Sequence, residues 1–283
     1  MNPAGAVIPA QEAAERVRAH GGSFPALLQA LLPWAASYAN APVSQFTVGA
    51  VALGGSGAVY AGANHELAGL PLAASVHAEQ SVVANAWLHG EHAIAAIAVT
   101  APPCGHCRQF LTELRDAATL QVIVADGGGA PLAELLPEAF GPSDLGVAER
   151  LLDPADHRLS LDARDADPLA AAALAAANAS YAPYTAGFAG VAVRMHDSAV
   201  VTGRYAESAA FNPSLPALQA AISMLALRRE RLRGAADVVL VEAEAATSQR
   251  SAAEALLGAA GGPPLRYLRA WPRPGTFPGQ NGS

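Results

Sequence analysis

Between residues 11 and 38 the apolar side chains recur at helical spacing. Ala13, Val17, Leu27, Leu28, Leu31 and Leu32 carry the pattern, and Gly21-Gly22 and Pro25 interrupt it. The period then shortens. Residues 45–53 and 58–63 read as strands, with Gly54-Gly55-Ser56-Gly57 as the hairpin turn between them. Residues 78–88 read as a helix with Val82, Val83, Ala86 and Trp87 inward and Gly90 as its stop. Residues 94–100 form a buried strand. A second helix starts near Cys104 with Cys107, Phe110, Leu111 and Leu114 on its apolar side, and residues 120–125 form a further strand. This order predicts an α/β fold: a mixed sheet flanked by helices, with βαβ crossovers.

The second half repeats the first. Pro42 and Pro183, Gly49 and Gly190, Gly62 and Gly203, and Glu66 and Glu207 all stand 141 residues apart. At the same shift His77 falls on Leu218, Glu79 on Ala220, Cys104 on Ala245 and Cys107 on Ser248. The second copy therefore keeps the fold and loses the chemistry-bearing side chains. Residues 137–160, with Pro137, Gly141, Pro142, Asp153, Pro154 and Asp156, read as the connector. The expected division is a helical segment over 1–22, a first copy over 23–152 and a second over 153–283. The Pro/Gly-rich stretch 272–283 is expected to be disordered.

Composition narrows the function classes. The chain has 283 residues, 52% hydrophobic and 14% charged, with a formal net charge of −7. That balance lacks the electrostatic footprint of a polynucleotide binder, so no nucleic-acid partner is expected. No run of 18 or more apolar residues occurs, so no membrane span is expected either. Residues 1–10 lack the basic start of a secretory signal, which points to the cytoplasm.

The chain has two cysteines, and both lie in Pro103-Cys104-Gly105-His106-Cys107; His77-Ala78-Glu79 stands upstream. Cys104, Cys107 and His77 supply three ligands for tetrahedral Zn2+ and leave a fourth position for water. Two thiolates and a neutral imidazole make the set formally neutral with the ion, so burial costs little. Glu79 is a base placed to move that water's protons. A closed zinc knuckle that only staples the fold is the alternative, but a fourth sulfur is lacking. His106 is expected to point away from the two thiols, in an outer or surface role. His65, His89 and His92 are expected to be solvated or locally hydrogen-bonded, and Trp87 to be core. Asn64 and Glu66 alternate at a strand end, so both can face one way; a turn asparagine and a surface glutamate are the plainer reading.

Longer strings carry a resemblance. They are Phe46-Thr-Val-Gly-Ala, Gly62-Ala-Asn-His-Glu, Val76-His-Ala-Glu-Gln, Thr100-Ala-Pro-Pro-Cys-Gly-His-Cys-Arg-Gln-Phe, Ala139-Phe-Gly-Pro and Tyr205-Ala-Glu-Ser-Ala-Ala-Phe-Asn-Pro. The chain resembles cytidine deaminases of the two-domain homodimeric bacterial type, and His-x-Glu with Pro-Cys-x-x-Cys is the zinc nucleobase deaminase signature. The resemblance implies a three-layer α-β-α fold, duplicated as an active and an inactive copy. It implies Zn2+ on His77, Cys104 and Cys107, and Glu79 as the proton shuttle in deamination of cytidine and 2′-deoxycytidine. It also implies that Asn64 and Glu66 bind the ribose, Phe46 packs on the pyrimidine, and the backbone at Ala78 and Cys104 meets the base edge. Phe140 would reach the partner's site in a homodimer. Other cytosine-bearing substrates, and a non-enzymatic zinc scaffold, are the alternatives.

Overall fold

The computed structural model describes residues 6–19, 22–165 and 167–272. The first sheet has the order β1-β3-β2-β4-β5-β6. Its strands are β1 (Val7–Ile8), β2 (Gly49–Gly54), β3 (Val59–Ala63), β4 (Ile94–Val99), β5 (Gln121–Val124) and β6 (Gly129–Pro131). The second has the order β7-β11-β10-β8-β9, from β7 (Leu159–Ser160), β8 (Ala189–Met195), β9 (Val200–Arg204), β10 (Ala235–Ala243) and β11 (Leu265–Pro272). In each sheet one pair is parallel, β4 with β5 and β10 with β11, and the named partners otherwise run antiparallel. A parallel pair needs a crossover, and helices supply both. The expected α/β class with mixed sheets holds.

The helices are α1 (Ala10–Ala19), α2 (Phe24–Ala30), α3 (Leu32–Ala36), α4 (Ala78–Leu88), α5 (Gly105–Leu111), α6 (Leu132–Leu135), α7 (Pro168–Asn178), α8 (Ala217–Leu227) and α9 (Arg250–Ala260). Two glycines show why helices cover both faces of the first sheet. A Cβ on Gly49 would lie 2.3 Å from the Ala36 nitrogen of α3, and one on Gly62 would lie 2.2 Å from the Val82 nitrogen of α4. Gly62 pairs with Ala50, the neighbour of Gly49, so the two glycines open opposite faces of one sheet. The second copy repeats the device: Gly190 meets Ala177 of α7 at 2.2 Å, and Gly203 meets Ala217 of α8 at 2.1 Å. The repeated glycines mark where helix backbone rests directly on strand backbone. The copies also pack on each other: the hydroxyls of Ser81 on α4 and Ser223 on α8 are 2.6 Å apart.

Several expectations are corrected. The helical region over 11–38 is three helices; Ser23 caps α2, and Pro25 sits inside its first turn, where a missing N–H costs nothing. Residues 45–48 are loop rather than strand, because the Asn64 side chain takes the backbone hydrogen bonds of Phe46 and Val48. The uniform shift of 141 also fails inside one element. α4 starts at Ala78 and α8 at Ala217, a shift of 139, because the second copy spends two residues fewer after its glutamate. His77 therefore stands opposite Pro216, and Glu79 opposite Leu218. The shift returns to 141 in the strands, where Ala50–Val99 recurs as Val191–Leu240. Of the stretch 272–283, Pro272 ends β11 and the rest lies outside the described residues.

Trp87 is core as expected, 5% exposed. His89 bonds locally to the Asn85 carbonyl, whereas His92 reaches the Leu152 carbonyl. His65 departs from expectation: it is buried with neither ring nitrogen paired. Strand alternation is the reason, since Asn64 and Glu66 face one side and His65 the other. Burial, helped by the Arg231 charge, holds its imidazole down at about 3. An unfolded histidine titrates near 6.5, so below that pH the unfolded chain gains a proton that the folded ring refuses, and stability falls from there down to about pH 3. Denaturant unfolding of His65→Met should show a gain of roughly 2 kcal/mol over the parent at pH 5, beyond any difference at pH 8. An equal difference at both values would show that the folded ring is not held neutral.

Candidate active site

His77 and Cys104 are each the last extended residue before a helix, His77 ahead of α4 and Cys104 ahead of α5. Cys107 lies within the first turn of α5, on the same side as Cys104. Two helix starts thus meet. His77 Nδ1 is 3.6 Å from Cys104 Sγ and 3.3 Å from Cys107 Sγ, and the sulfurs are 3.6 Å apart. Tetrahedral zinc with ordinary bond lengths requires about 3.8 Å between two sulfurs and about 3.5 Å between sulfur and nitrogen. The three atoms already outline one face of that tetrahedron, so the donor set fits the ion. Without metal, the bond with Cys107 brings the Cys104 thiol down to about 4. The same bond, then burial, pushes Cys107 up. Metal binding would take both sulfurs as thiolates and release their protons.

His106 is not turned away, contrary to expectation. Its ring lies against that of His77, with centroids 4.7 Å apart and planes 30° apart, and it joins His77, Cys104 and Cys107 in one group whose ligand atoms lie within 4.8 Å of one another. The tilted contact with the His77 ring places it beside the cluster. Nε2 is 3.2 Å from the Asn212 carbonyl, and the buried Nδ1 has no hydrogen-bond partner. The close triangle is made by the other three.

Glu79 sits in the first turn of α4 and is 4% exposed. Burial pushes its carboxyl above the ordinary range, only partly countered by a bond with Cys107 and the His77 charge. A cleft of about 380 Å3 opens beside it, lined among others by Phe46, Asn64, Glu66, Ala78, His77 and Cys104. Phe140 lies elsewhere, half exposed on the wall of a separate cavity.

Asn64 and Glu66 do face one way, into the cleft, but they also shape its wall. Asn64 Oδ1 accepts from the Val48 N–H at 2.8 Å, and its amide donates to the Phe46 carbonyl at 2.9 Å. Glu66 is buried and accepts from the N–H groups of Val43 and Ser44 and from the Ser44 hydroxyl. It is no surface carboxylate. Glu207 repeats this clamp in the second copy, with Tyr184 and Thr185 as donors.

Sequence reasoning missed two residues. Ser44 had a usable signal, since Thr185 repeats it 141 residues on. Gln80 lies three residues after the helix cap: its Oε1 accepts from the His77 N–H at 3.1 Å, as a capping glutamine does. In the second copy the corresponding helix junction is closed by side chains. Gln249, the cap of α9, accepts from the Ala217 N–H at 2.9 Å, and Glu242 accepts from the Gln249 N–H at 2.6 Å and the Ser248 hydroxyl at 2.8 Å.

Two family models, both described as "Cytidine and deoxycytidylate deaminase zinc-binding region", match residues 27–123 and 132–254. The chain is 48% identical over 259 residues to the cytidine deaminase of Aeromonas salmonicida (strain A449), covering 91% of this chain and 87% of that one. It is 48% identical over 237 residues to the cytidine deaminase of Serratia proteamaculans (strain 568), covering 83% and 80%. The chain belongs to the cytidine deaminase family. A crystal structure of cytidine deaminase from Burkholderia pseudomallei is 33% identical over 40% of this chain and 97% of that chain, with a TM-score of 0.37. Cytidine deaminase membership makes the domain matches zinc-binding by description, and the His/Cys cluster lies within the first of them.

His77, Cys104 and Cys107 contact one another directly within 3.6 Å, and His106 adjoins them within 4.8 Å. Metal analysis of purified variants should find one zinc per chain retained in His106→Gln under zinc-replete conditions and lost in Cys104→Ala. Loss of zinc from both would make His106 a fourth ligand.

Proposed function

We propose that this chain converts cytidine and 2′-deoxycytidine to uridine and 2′-deoxyuridine with release of ammonia, as a cytoplasmic enzyme of pyrimidine salvage. The observation that carries the reading is the triangle of His77, Cys104 and Cys107 with the buried Glu79 carboxyl beside it on the wall of an open cleft. Zn2+ on these three residues supplies Lewis acidity that brings the pKa of a water from about 15.7 to about 7. Glu79 takes a proton from the attacking water and gives it to N3 of the ring as the C4–O bond forms. It then moves the second proton to the exocyclic nitrogen, the C4–N bond breaks, and ammonia leaves. A carboxyl raised by burial suits both halves of this exchange near neutral pH.

The other residues bind and orient. Asn64 and Glu66 face the ribose, chiefly its 3′-hydroxyl, and Phe46, 58% exposed, covers the pyrimidine. The backbone at Ala78 and Cys104 meets the base edge. The copy over 23–152 is the catalytic one, and the copy over 153–283 is not. The working form is a homodimer: Phe46, Leu72 and Phe140 are large apolar side chains left at the surface, two of them at the rim of the cleft, and a partner would cover them. Free thiol ligands suit a reducing compartment. Among the described residues no helix is long and apolar enough to cross a membrane.

Glu79→Gln should bind zinc in full and release no measurable ammonia from cytidine; an active variant would remove Glu79 from the mechanism. Turnover measured side by side should be high for cytidine and 2′-deoxycytidine and negligible for free cytosine and a cytosine-containing oligonucleotide. Faster turnover of either of the last two would change the substrate class.

A further inference from the structure

One short segment of the metal-free copy touches the active copy next to its metal ligands. Gln80 Nε2, buried in the first turn of α4, donates to the Pro213 carbonyl at 2.8 Å, while its Oε1 holds the His77 N–H. His106, between the two cysteines and with its ring tilted against that of His77, has Nε2 3.2 Å from the Asn212 carbonyl. Glu113, fully buried two residues beyond the end of α5, accepts from the Ala209 N–H at 2.7 Å. Its other oxygen accepts from the hydroxyls of Tyr181 at 3.0 Å and Tyr184 at 2.8 Å, also in the second copy. All three tethers end on backbone groups of residues 209–213.

That segment is itself held rigidly. The Ser214 hydroxyl accepts from the Ser208 N–H at 3.0 Å, Phe211 N–H donates to the Ser208 carbonyl at 2.8 Å, and Ala206 and Leu215 exchange backbone bonds. It occupies the position that residues 67–76 hold in the first copy, where Leu72, Ser75 and Val76 line the cleft. In the second copy the stretch is two residues shorter and is turned to a different use.

We propose that the metal-free copy is a positioning element for the catalytic one: its 209–213 segment fixes the start of α4 through Gln80 and the two ends of α5 through His106 and Glu113, and so sets the separation of His77 from the two cysteines. This rests on the zinc site proposed above. Partners that orient metal ligands from outside are worth roughly 10- to 100-fold in metal affinity or activity.

The test compares Gln80→Glu, Glu113→Ala, Glu113→Gln and Ser214→Ala in the full-length zinc-loaded protein. Gln80→Glu keeps an acceptor for the His77 N–H and removes the donor to Pro213. Glu113→Gln keeps an acceptor for the Ala209 N–H, and Glu113→Ala does not. Zinc release to a chromogenic chelator, kcat and KM, the visible bands of the cobalt-substituted protein and thermal melting are read for each. Gln80→Glu and Glu113→Ala should release zinc about tenfold or more faster, lose kcat by a similar factor with KM little changed, and shift the cobalt bands. Glu113→Gln should restore most of this, and Ser214→Ala should fall between. If Glu113→Ala fails to fold, Gln80→Glu and Ser214→Ala decide. Parent-like zinc release and cobalt spectra in those two overturn the inference. Parent protein without bound zinc would instead overturn the zinc site.

Discussion

Everything at the candidate site depends on two helices beginning at the same place. Each helix start carries roughly half a positive charge on its unpaired N–H groups, so two of them repel unless negative charge sits between. The Cys104 thiol, held low at the start of α5, provides it. Gly62 makes the approach possible from behind, because α4 can lie directly on β3 only where no Cβ intervenes. Steric room, helix charge and thiol chemistry therefore meet in one small volume, and a divalent cation completes the neutralisation.

The glutamate clamp shows a second principle. Glu66 and Glu207 hold equivalent turns with equivalent donors, although one copy has the metal triangle and the other does not. The clamp is thus part of how this fold shapes the loop before its hairpin. In the first copy the same loop carries Phe46 to the cleft, with Asn64 fastening both of its sides. A folding device has become a wall of the site.

How much could be read beforehand follows from which forces are local. The strands around Gly54-Gly55-Ser56-Gly57, the α4 helix and the metal triangle were legible, because periodicity, turn chemistry and ligand type act over a few residues. Residues 45–48 are loop because one distant side chain, Asn64, claims the backbone of Phe46 and Val48. The shift of 139 at α8 was hidden by four anchors that all lie before it. His65 and His106 were misplaced for one reason: each faces a surface created only when the second copy or a second helix packs against it. Gln80 and Ser44 offered signals, but of capping and of repetition rather than of reactivity.

The side-chain closure at Gln249 has a consequence for how the two halves depend on their surroundings. A junction made by an amide oxygen and a buried glutamate is complete as soon as the chain has folded, whatever ions the solution holds. A junction made by an imidazole and two thiols stays unfinished until a cation is delivered. One junction is therefore closed by the chain itself, while the other takes its closure from a cation.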